Sequence, residues 1–268
     1  MTFKFPSRVA LAKWPAWLTM LLLCGLMLAS GARAEVQAPD GCYPVPDVAP
    51  FSISQPLNID LIKQQLTRYR CTRYDAEFAA VLADARQWVQ MRAPSVNHAA
   101  IVLDIDETSL SNWTRIKQDD FGFIPNGSCA LKPGEACGDI AWQRGGEAPA
   151  LQPTLELFNL AKCSTVPPVP NCTKVAVFFI TGRFQKVGAQ AWTEANLTKA
   201  GYRGWDGLYM RDPATEGRPV SEHKTGARAD IESRGFTIIA NVGDQESDLV
   251  GGHAERTFKI PNPFYFIP

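Results

Sequence analysis

The sequence is poor in residues that bind transition metals. It has only three histidines, His98, His223 and His253, and none of them lies near a group of cysteines. No two cysteines have the C-x-x-C spacing that is typical of structural zinc sites. The pattern therefore disfavours a zinc protein.

The sequence also lacks an apolar run long enough to span a membrane. The run Trp17–Ala29 has thirteen residues, whereas a helix needs about 20 to cross a bilayer. Three basic residues precede this run, and the small residues Ala32 and Ala34 follow it. The pattern predicts a signal peptide over residues 1–34, cleaved near Ala34, and export to the periplasm or the medium without a stable membrane anchor. An uncleaved anchor is the alternative, which the small residues disfavour.

An excess of charge of either sign is missing as well. The chain has 27 basic and 27 acidic residues, and removal of residues 1–34 takes away four basic residues and no acid, which leaves 23 against 27. The four are Lys4, Arg8, Lys13 and Arg33. Without a basic stripe, no nucleic-acid partner is expected. Residues 35–268 are enough for one domain with its own core, and nothing in the pattern indicates an oligomeric state.

Cysteines, by contrast, are present in a number that suggests disulfide bonds. Of seven, Cys24 belongs to the predicted signal peptide, and six remain. An even set in an exported protein indicates disulfides. Pairing of neighbours along the chain gives Cys42–Cys71, Cys129–Cys137 and Cys163–Cys172, although six cysteines allow many other pairings.

Three short apolar runs have the character of buried strands. They are residues 99–103, 175–180 and 236–242, and each is continuous rather than alternating. Such runs are typical of strands buried on both faces of a parallel sheet. Residues 58–92 instead carry apolar positions at helical spacing. The class is therefore α/β.

A stretch rich in glycine and proline separates the first two runs. Residues 121–149 include Cys129 and Cys137 and have no clear periodicity. We predict a small, disulfide-pinned insertion at about residues 109–150 that overhangs a site. A surface loop without a function is an equally good interpretation of the same pattern.

Polar residues follow each of the three runs. Asp104-Ile-Asp106-Glu-Thr follows the first run, Thr181-Gly182-Arg183 follows the second, and Gly-Asp244-Gln-Glu-Ser-Asp248 follows the third. Lys224 precedes the third run. Because ligands bind beyond the carboxyl ends of parallel strands, these groups are expected to form one site.

These segments resemble the four ordered motifs of the haloacid dehalogenase (HAD) superfamily. The matching segments are IVLDIDETSLSNW, FFITGR, Lys224 and ANVGDQESDLVGG. Within it, DIDET, GDQESDL and RTFKIPNPFYFIP resemble subfamily IIIB, which holds the bacterial class C acid phosphatases and the plant acid phosphatases and vegetative storage proteins. Ser109 and Trp113 depart from the common class C pattern, so the pocket is expected to differ. The resemblance implies a doubly wound parallel sheet with helices on both faces and a small cap.

The resemblance implies that Asp104 attacks a phosphomonoester and forms an aspartyl-phosphate. Two like charges about 3.5 Å apart repel by roughly 5 kcal/mol at an effective dielectric constant of about 20, so the attack needs a cation. Mg²⁺ is suited because it prefers carboxylate and phosphate oxygens. Its implied ligands are Asp104, the backbone carbonyl of Asp106, and Asp244, with Asp248 orienting bound water or Lys224.

The remaining motif residues have implied roles in the same reaction. Asp106 resembles the general acid and base, and we expect it to hold a proton for the leaving alcohol. Thr181, Gly182 and Lys224 resemble the residues that hold the phosphoryl oxygens. The predicted substrate is a small phosphomonoester, for which a nucleotide and an aryl phosphate are both compatible.

Two other functions are compatible with the same fold. A storage or binding protein of this type is expected to have lost Asp104, Asp106, Lys224 or Asp244, and all four are present. A phosphotransferase would need an alcohol acceptor that outcompetes water, and predicted export favours hydrolysis. We assign no role to several further residues, because each is more often found in cores or on surfaces. They are Arg183, His223, Trp113, Trp142 and Trp192.

Overall fold

The structure is a computed structural model that describes residues 58–268. The predicted signal peptide and Cys42 lie outside the described residues. Within residues 58–268, no helix combines the length and the apolar character needed to cross a membrane.

A parallel sheet of five strands forms the centre of the described chain. The strands are β1 Ala99–Leu103, β2 Ala176–Phe184, β3 Gly207–Arg211, β4 Thr237–Gly243 and β5 Thr257–Lys259. Their order across the sheet is β3-β2-β1-β4-β5. The chain thus builds one side outward from β1 and then returns to build the other side, so the order reverses between β1 and β4.

The three predicted strands are confirmed as β1, β2 and β4, and two strands were not predicted. The missed strands, β3 and β5, are the two edges of the sheet. Only two residues of β3 are buried, and β5 has three residues, of which one is buried. Neither leaves a continuous apolar run in the sequence. β2 also continues through Gly182 to Phe184, beyond the end of its apolar run.

Helices cover both faces of the sheet. Ile101 and Leu103 of β1 belong to one core cluster, whereas Ala100 and Val102 belong to a second. Successive side chains of a strand point to opposite faces, so both faces of β1 are buried. This confirms the predicted doubly wound α/β class. The helices are α1 Ile59–Tyr69, α2 Asp75–Arg92, α3 Trp113–Gln118, α4 Asp139–Gly145, α5 Gln152–Ala161, α6 Ala189–Lys199, α7 Val220–Ser233 and α8 Glu246–Leu249.

The predicted helical segment 58–92 is two helices in series. The Asn58 side chain accepts hydrogen bonds from the N–H groups of Asp60 and Leu61 and so caps the start of α1. A π-helical turn, Arg70–Tyr74, joins α1 to α2. α2 and α5 then pack on one face of the sheet, and α7 packs on the other.

Two of the three predicted disulfides are formed within the described residues. They join Cys129 to Cys137 and Cys163 to Cys172. Cys71 is also disulfide-bonded, while Cys42, its predicted partner, lies outside the described residues. The first disulfide is in the predicted insertion, which contains α3 and α4. The bounds 109–150 of that insertion remain a prediction.

A buried arginine on α7 fixes the loop that begins in α8. Arg228 is fully buried and donates to the carbonyl oxygens of Asp248 at 2.6 Å and Gly252 at 2.9 Å, and also to that of Val250. These carbonyl groups lie in the short helix α8 and just after it, where the end of a helix leaves carbonyl groups without partners of their own. Asn241 also donates to the carbonyl of Asp248 at 2.9 Å, and Thr225 donates to that of Val250 at 3.2 Å. Arg228 is the side chain that contacts all three carbonyl groups of the loop.

We predict that Arg228→Met lowers the free energy of unfolding by about 2–4 kcal/mol, because it removes the donor to the carbonyl of Gly252 and one of the two donors to each of the carbonyl groups of Asp248 and Val250. Methionine keeps an aliphatic side chain of similar length, so the loss of stability reports the contribution of the guanidinium. Urea unfolding measures the free energy of unfolding of both proteins. The control is Arg203→Met, which changes an exposed arginine and is expected to shift stability by less than about 0.5 kcal/mol. Equal effects of the two changes would contradict the assignment.

Candidate active site

Three carboxylates converge at the carboxyl edge of the sheet. Asp104 directly follows β1, Asp244 directly follows β4, and Asp248 lies in α8. β1 and β4 are neighbours at the reversal of strand order, which is why their ends bring Asp104 and Asp244 together. One oxygen of each carboxylate lies within 4.8 Å of the other two. All three residues are buried.

Lys224 bridges two of these carboxylates. It lies in the second turn of α7 and is buried, and its Nζ donates to Oδ1 of Asp104 at 2.5 Å and to Oδ1 of Asp248 at 2.5 Å. Burial opposes its charge, but Asp104 and Asp248 outweigh that effect and raise the pKa of Lys224. The lysine is therefore an ammonium inside the cluster and not a solvated surface residue.

The cluster has more negative charge than Lys224 can balance. Burial raises the pKa of Asp104 well above its usual range, with Lys224 opposing and Asp248 and Asp244 adding to the rise. Burial and then Asp248 raise the pKa of Asp244 to about 7. Three ionised carboxylates and one ammonium leave two uncompensated negative charges, which are unfavourable away from water. A divalent cation would compensate them.

The sequence around Asp248 explains how that residue reaches the cluster. Its Oδ2 accepts the N–H of Gln245 at 2.8 Å, as part of a capping box that starts α8. The side chain then crosses close to Gly243, where an added Cβ would lie 2.4 Å from Cβ of Asp248. Only glycine fits there. The Gly-Asp spacing of the motif is thus a packing requirement as well as a chemical one.

The second aspartate of the first motif has a different partner. Asp106 forms a two-pronged ion pair with Arg183, from Nε to Oδ2 at 2.8 Å and from Nη2 to Oδ1 at 2.6 Å. Asn112 donates to the same Oδ1 at 2.8 Å. Burial opposes the charge of Asp106, but Arg183 and then Asn112 outweigh it and lower the pKa of Asp106 to about 2. The carboxylate is ionised here, contrary to our expectation that it holds a proton.

Glu107 and Asn112 brace the turn that carries Asp106. Glu107 has a left-handed backbone, with φ of 57°, and is buried. It accepts hydrogen bonds from the backbone N–H of Asn112 at 2.5 Å and from its Nδ2 at 3.0 Å. Such a backbone is strained for a residue with a side chain. The buried hydrogen bonds hold the turn in that conformation.

A cleft of about 920 Å³ opens over this site. Asp104, Asp106, Lys224, Asp244 and Asp248 line it, together with Gly182. Apolar and aromatic residues from the predicted insertion, from β2 and α6, and from the chain after β5 form much of the remaining lining. They include Ile116, Phe121, Phe123, Phe184, Trp192 and Phe266.

The residues predicted from the motifs are distributed as follows. The structure brings Asp104, Lys224, Asp244 and Asp248 into direct proximity and places Asp106 beside Arg183. Thr181 is fully buried, and its hydroxyl accepts the N–H of Arg183 at 3.1 Å. Gly182 is among the described residues that line the cleft, whereas Thr181 is not.

Sequence reasoning left out several polar residues of the site. Arg183 received no role, although its place directly after Thr181-Gly182 was a usable signal. Asn112 gave no signal, because its contact with Asp106 depends on how the turn folds. Trp113 and Trp142 are buried in the core, and Trp192 lines the cleft. His223 is half-buried and is not among the described residues that line the cleft.

The fold and site define a doubly wound α/β protein with a buried acidic cluster at the switch point of its sheet. The chain belongs to the HAD superfamily, subfamily IIIB (acid phosphatase), whose sequence model matches residues 54–268. This confirms the resemblance inferred from the motifs. The match includes the motif segments and the chain after β5.

Individual relatives agree with this family. The chain is 37% identical over 169 residues to the stem 28 kDa glycoprotein of Glycine max, over 62% of this chain and 59% of that protein. It is 31% identical over 172 residues to acid phosphatase 1 of Solanum lycopersicum, over 62% of this chain and 58% of that protein. The chain thus spans less than two thirds of the length of either relative.

A solved structure has a similar fold. The class C acid phosphatase from Bacillus anthracis aligns with a TM-score of 0.55 and 19% identity, over 77% of this chain and 86% of that chain. At this identity the likeness concerns the fold. It supports the parallel sheet and its helices independently of the motifs.

The Asp106–Arg183 pair gives a pH-dependent prediction. Because the pKa of Asp106, about 2, is below its unfolded value of about 3.9, the pair stabilises the fold above about pH 4, and this contribution is lost as the pH falls towards 2. Arg183→Met leaves a half-buried carboxylate without its cation, although Asn112 still donates to it. We expect it to lower the free energy of unfolding by about 2 kcal/mol at pH 7, and by less at pH 4, because a carboxyl group without its cation takes up a proton more readily at the lower pH.

Urea unfolding in EDTA at both pH values measures this difference. Asp106→Asn added to Arg183→Met removes the unpaired charge and is expected to recover part of the stability at pH 7. The same loss at pH 7 and pH 4, with no recovery in the double variant, would show that Arg183 acts through packing alone.

Proposed function

We propose that the protein is an exported, Mg²⁺-dependent phosphomonoesterase that forms an aspartyl-phosphate on Asp104. The observation that supports this most directly is the convergence of Asp104, Asp244 and Asp248 around Lys224 beside an open cleft. Membership of an acid phosphatase subfamily supports hydrolysis of phosphomonoesters. The disulfides within the described residues support an oxidising compartment outside the cytoplasm.

The donor set fits Mg²⁺. It consists of carboxylate oxygens, it is buried, and its full ionisation would leave the two uncompensated charges described above. Asp104, Asp244 and the backbone carbonyl of Asp106 would hold the ion. Asp248 is bonded to Lys224 through Oδ1 and to the N–H of Gln245 through Oδ2, and its contact with the Lys224 ammonium supports an orienting role for that residue. When bound, the ion would reduce the repulsion between a carboxylate and a phosphate.

Asp104 is the nucleophile in this proposal. Its carboxylate attacks phosphorus, the bond between phosphorus and the ester oxygen breaks, and the leaving oxygen takes a proton to become an alcohol. Water then attacks the acyl phosphate, which releases phosphate and regenerates the carboxylate. Lys224 holds Asp104 in place through its bond to Oδ1. Its ammonium, the Thr181 hydroxyl and the Gly182 backbone are proposed to stabilise the transferring oxygens.

Asp106 is proposed as the general acid and base, in a modified form. While Arg183 holds it, the carboxylate is ionised but is a weak base, so efficient acceptance of a proton from the attacking water requires the ion pair with Arg183 to loosen. Donation of a proton to the leaving group requires the ion pair with Arg183 to loosen, because the pair keeps the pKa of Asp106 at about 2. Arg183 is therefore proposed to control the protonation state of Asp106.

The cleft accommodates more than a phosphate. Its volume of about 920 Å³ and its aromatic lining suit a leaving group with an apolar face. A small phosphomonoester with an aryl or nucleoside portion is the proposed substrate class. Storage or binding without turnover, and transfer of the phosphoryl group to an alcohol, are the competing outcomes of the experiment that follows.

We predict that Asp104→Asn lowers kcat by about 10⁴-fold or more, because it removes the attacking group. The fold is expected to persist, since the amide removes a charge that Asp248 and Asp244 oppose. Hydrolysis of p-nitrophenyl phosphate by both proteins, with Mg²⁺ or EDTA, measures the change.

Each outcome of that assay distinguishes one of the proposals. Activity retained in Asp104→Asn would rule out Asp104 as the nucleophile. Inactivity of folded, metal-loaded wild type would favour storage or binding. If an added alcohol becomes phosphorylated in preference to water, the protein is a phosphotransferase.

We predict that Asp244→Asn acts mainly on the cation. Loss of one charged ligand is expected to raise the Mg²⁺ concentration for half-maximal activity by about tenfold or more, with activity partly restored at high Mg²⁺. Asp60→Asn, which changes an exposed carboxylate on α1, is the control and should leave the Mg²⁺ requirement unchanged. An unaltered requirement in Asp244→Asn would exclude Asp244 as a ligand.

A further inference from the structure

The chain that follows β5 is docked onto the active-site edge of the sheet. We call residues 260–268 the closing segment. The N–H of Ile260 donates to the carbonyl of Gly243 at 2.9 Å, and Ile260 is fully buried. The ring of Phe264 packs against those of Tyr74 and Trp113, with centroids 5.4 and 5.2 Å away. These contacts give the closing segment a fixed position beside the catalytic groups.

One side chain of the closing segment contacts the Asp244 carboxylate. Nδ2 of Asn262 donates to Oδ2 of Asp244 at 2.7 Å. Oδ1 of Asn262 accepts the N–H of Phe264 at 2.9 Å, which fixes the orientation of the amide. Gln245 also donates to Oδ2 of Asp244, and Thr108 donates to its Oδ1 at 3.1 Å. The rotation of the Asp244 carboxylate is thus set by three donors, one of them from the closing segment.

A second side chain of the closing segment leads to Asp106. The hydroxyl of Tyr265 donates to Oε2 of Glu107 at 2.8 Å. Glu107 accepts two hydrogen bonds from Asn112, and Asn112 donates to Oδ1 of Asp106 at 2.8 Å. The chain of contacts from Tyr265 therefore ends on the proposed acid and base.

We propose that Asn262 and Tyr265 are positioning residues, with Asn262 orienting Asp244 for the cation and Tyr265 holding the turn that carries Asp106. The inference rests on the proposed function. Partners of metal-binding carboxylates affect affinity strongly, because they fix the direction of the donor oxygens. The roles of Asn262 and Tyr265 can be tested separately. Within the described chain, the hydrogen bonds of Tyr265 join it to Gln245 and Glu107 and not to Asp104, Asp244 or Asp248.

Calorimetric titration with Mg²⁺ tests the role of Asn262 without relying on turnover. Asn262→Ala is expected to raise the Kd for Mg²⁺ by about tenfold or more. Tyr265→Phe, which keeps the ring and removes only the hydroxyl, is the matched control from the same segment. It is expected to change that Kd by less than about twofold, while lowering kcat by several-fold and leaving KM unchanged.

Asn262→Ser separates orientation of Asp244 from support of the local turn. The serine hydroxyl keeps an acceptor for the N–H of Phe264 but is too short to donate to Asp244, and it adds no charge near the cation. If Asn262 only supports the turn, Asn262→Ser binds Mg²⁺ like the wild type, and the proposal is wrong. If Asn262 orients Asp244, Asn262→Ser raises the Kd for Mg²⁺ as Asn262→Ala does. Thermal unfolding of each variant in EDTA checks that it is folded.

The outcomes also separate this inference from the proposed function. A wild-type protein that neither binds Mg²⁺ nor hydrolyses p-nitrophenyl phosphate would overturn the proposed function. Wild-type binding and hydrolysis that persist unchanged in the Asn262 variants would overturn the orienting role of Asn262 alone. An unchanged kcat in Tyr265→Phe would overturn the role of Tyr265.

Discussion

The rest of the site depends on one electrostatic constraint, the burial of three carboxylates around a single ammonium. Asp104, Asp244 and Asp248 are each out of water, and Lys224 balances only part of their charge. Ionised groups in such surroundings are stable only with close partners of opposite charge or with hydrogen-bond donors. Lys224 of α7, Gln245 at the start of α8 and Asn262 of the closing segment are such partners.

Local packing is arranged to meet that constraint. Gly243 makes room for the side chain of Asp248, and the capping box of α8 uses one oxygen of that side chain. Arg228 holds the loop behind it by its carbonyl groups. Rigid supporting contacts of this kind keep catalytic groups within a narrow range of positions.

The two aspartates of the first motif lie two residues apart and are held in opposite electrostatic environments. Burial, together with Asp248 and Asp244, opposes the charge of Asp104 more than Lys224 favours it, whereas Arg183 outweighs the burial of Asp106. The turn after Asp104 places Asp106 beside Arg183, and Asn112 contacts both Asp106 and Glu107 within that turn. One short turn therefore creates two carboxylates with different chemistry.

The sequence by itself determined the α/β class, three of the five strands and the motif residues, because buried strands and motif spacing are local patterns that tertiary structure does not alter. It did not determine the edge strands β3 and β5, whose residues are few and only partly buried. Tertiary structure alone decided that Arg183 pairs with Asp106 and that Asn262 and Tyr265 reach Asp244 and Glu107. Those contacts join residues 18 to 158 positions apart, and only the order of strands in the sheet brings them together.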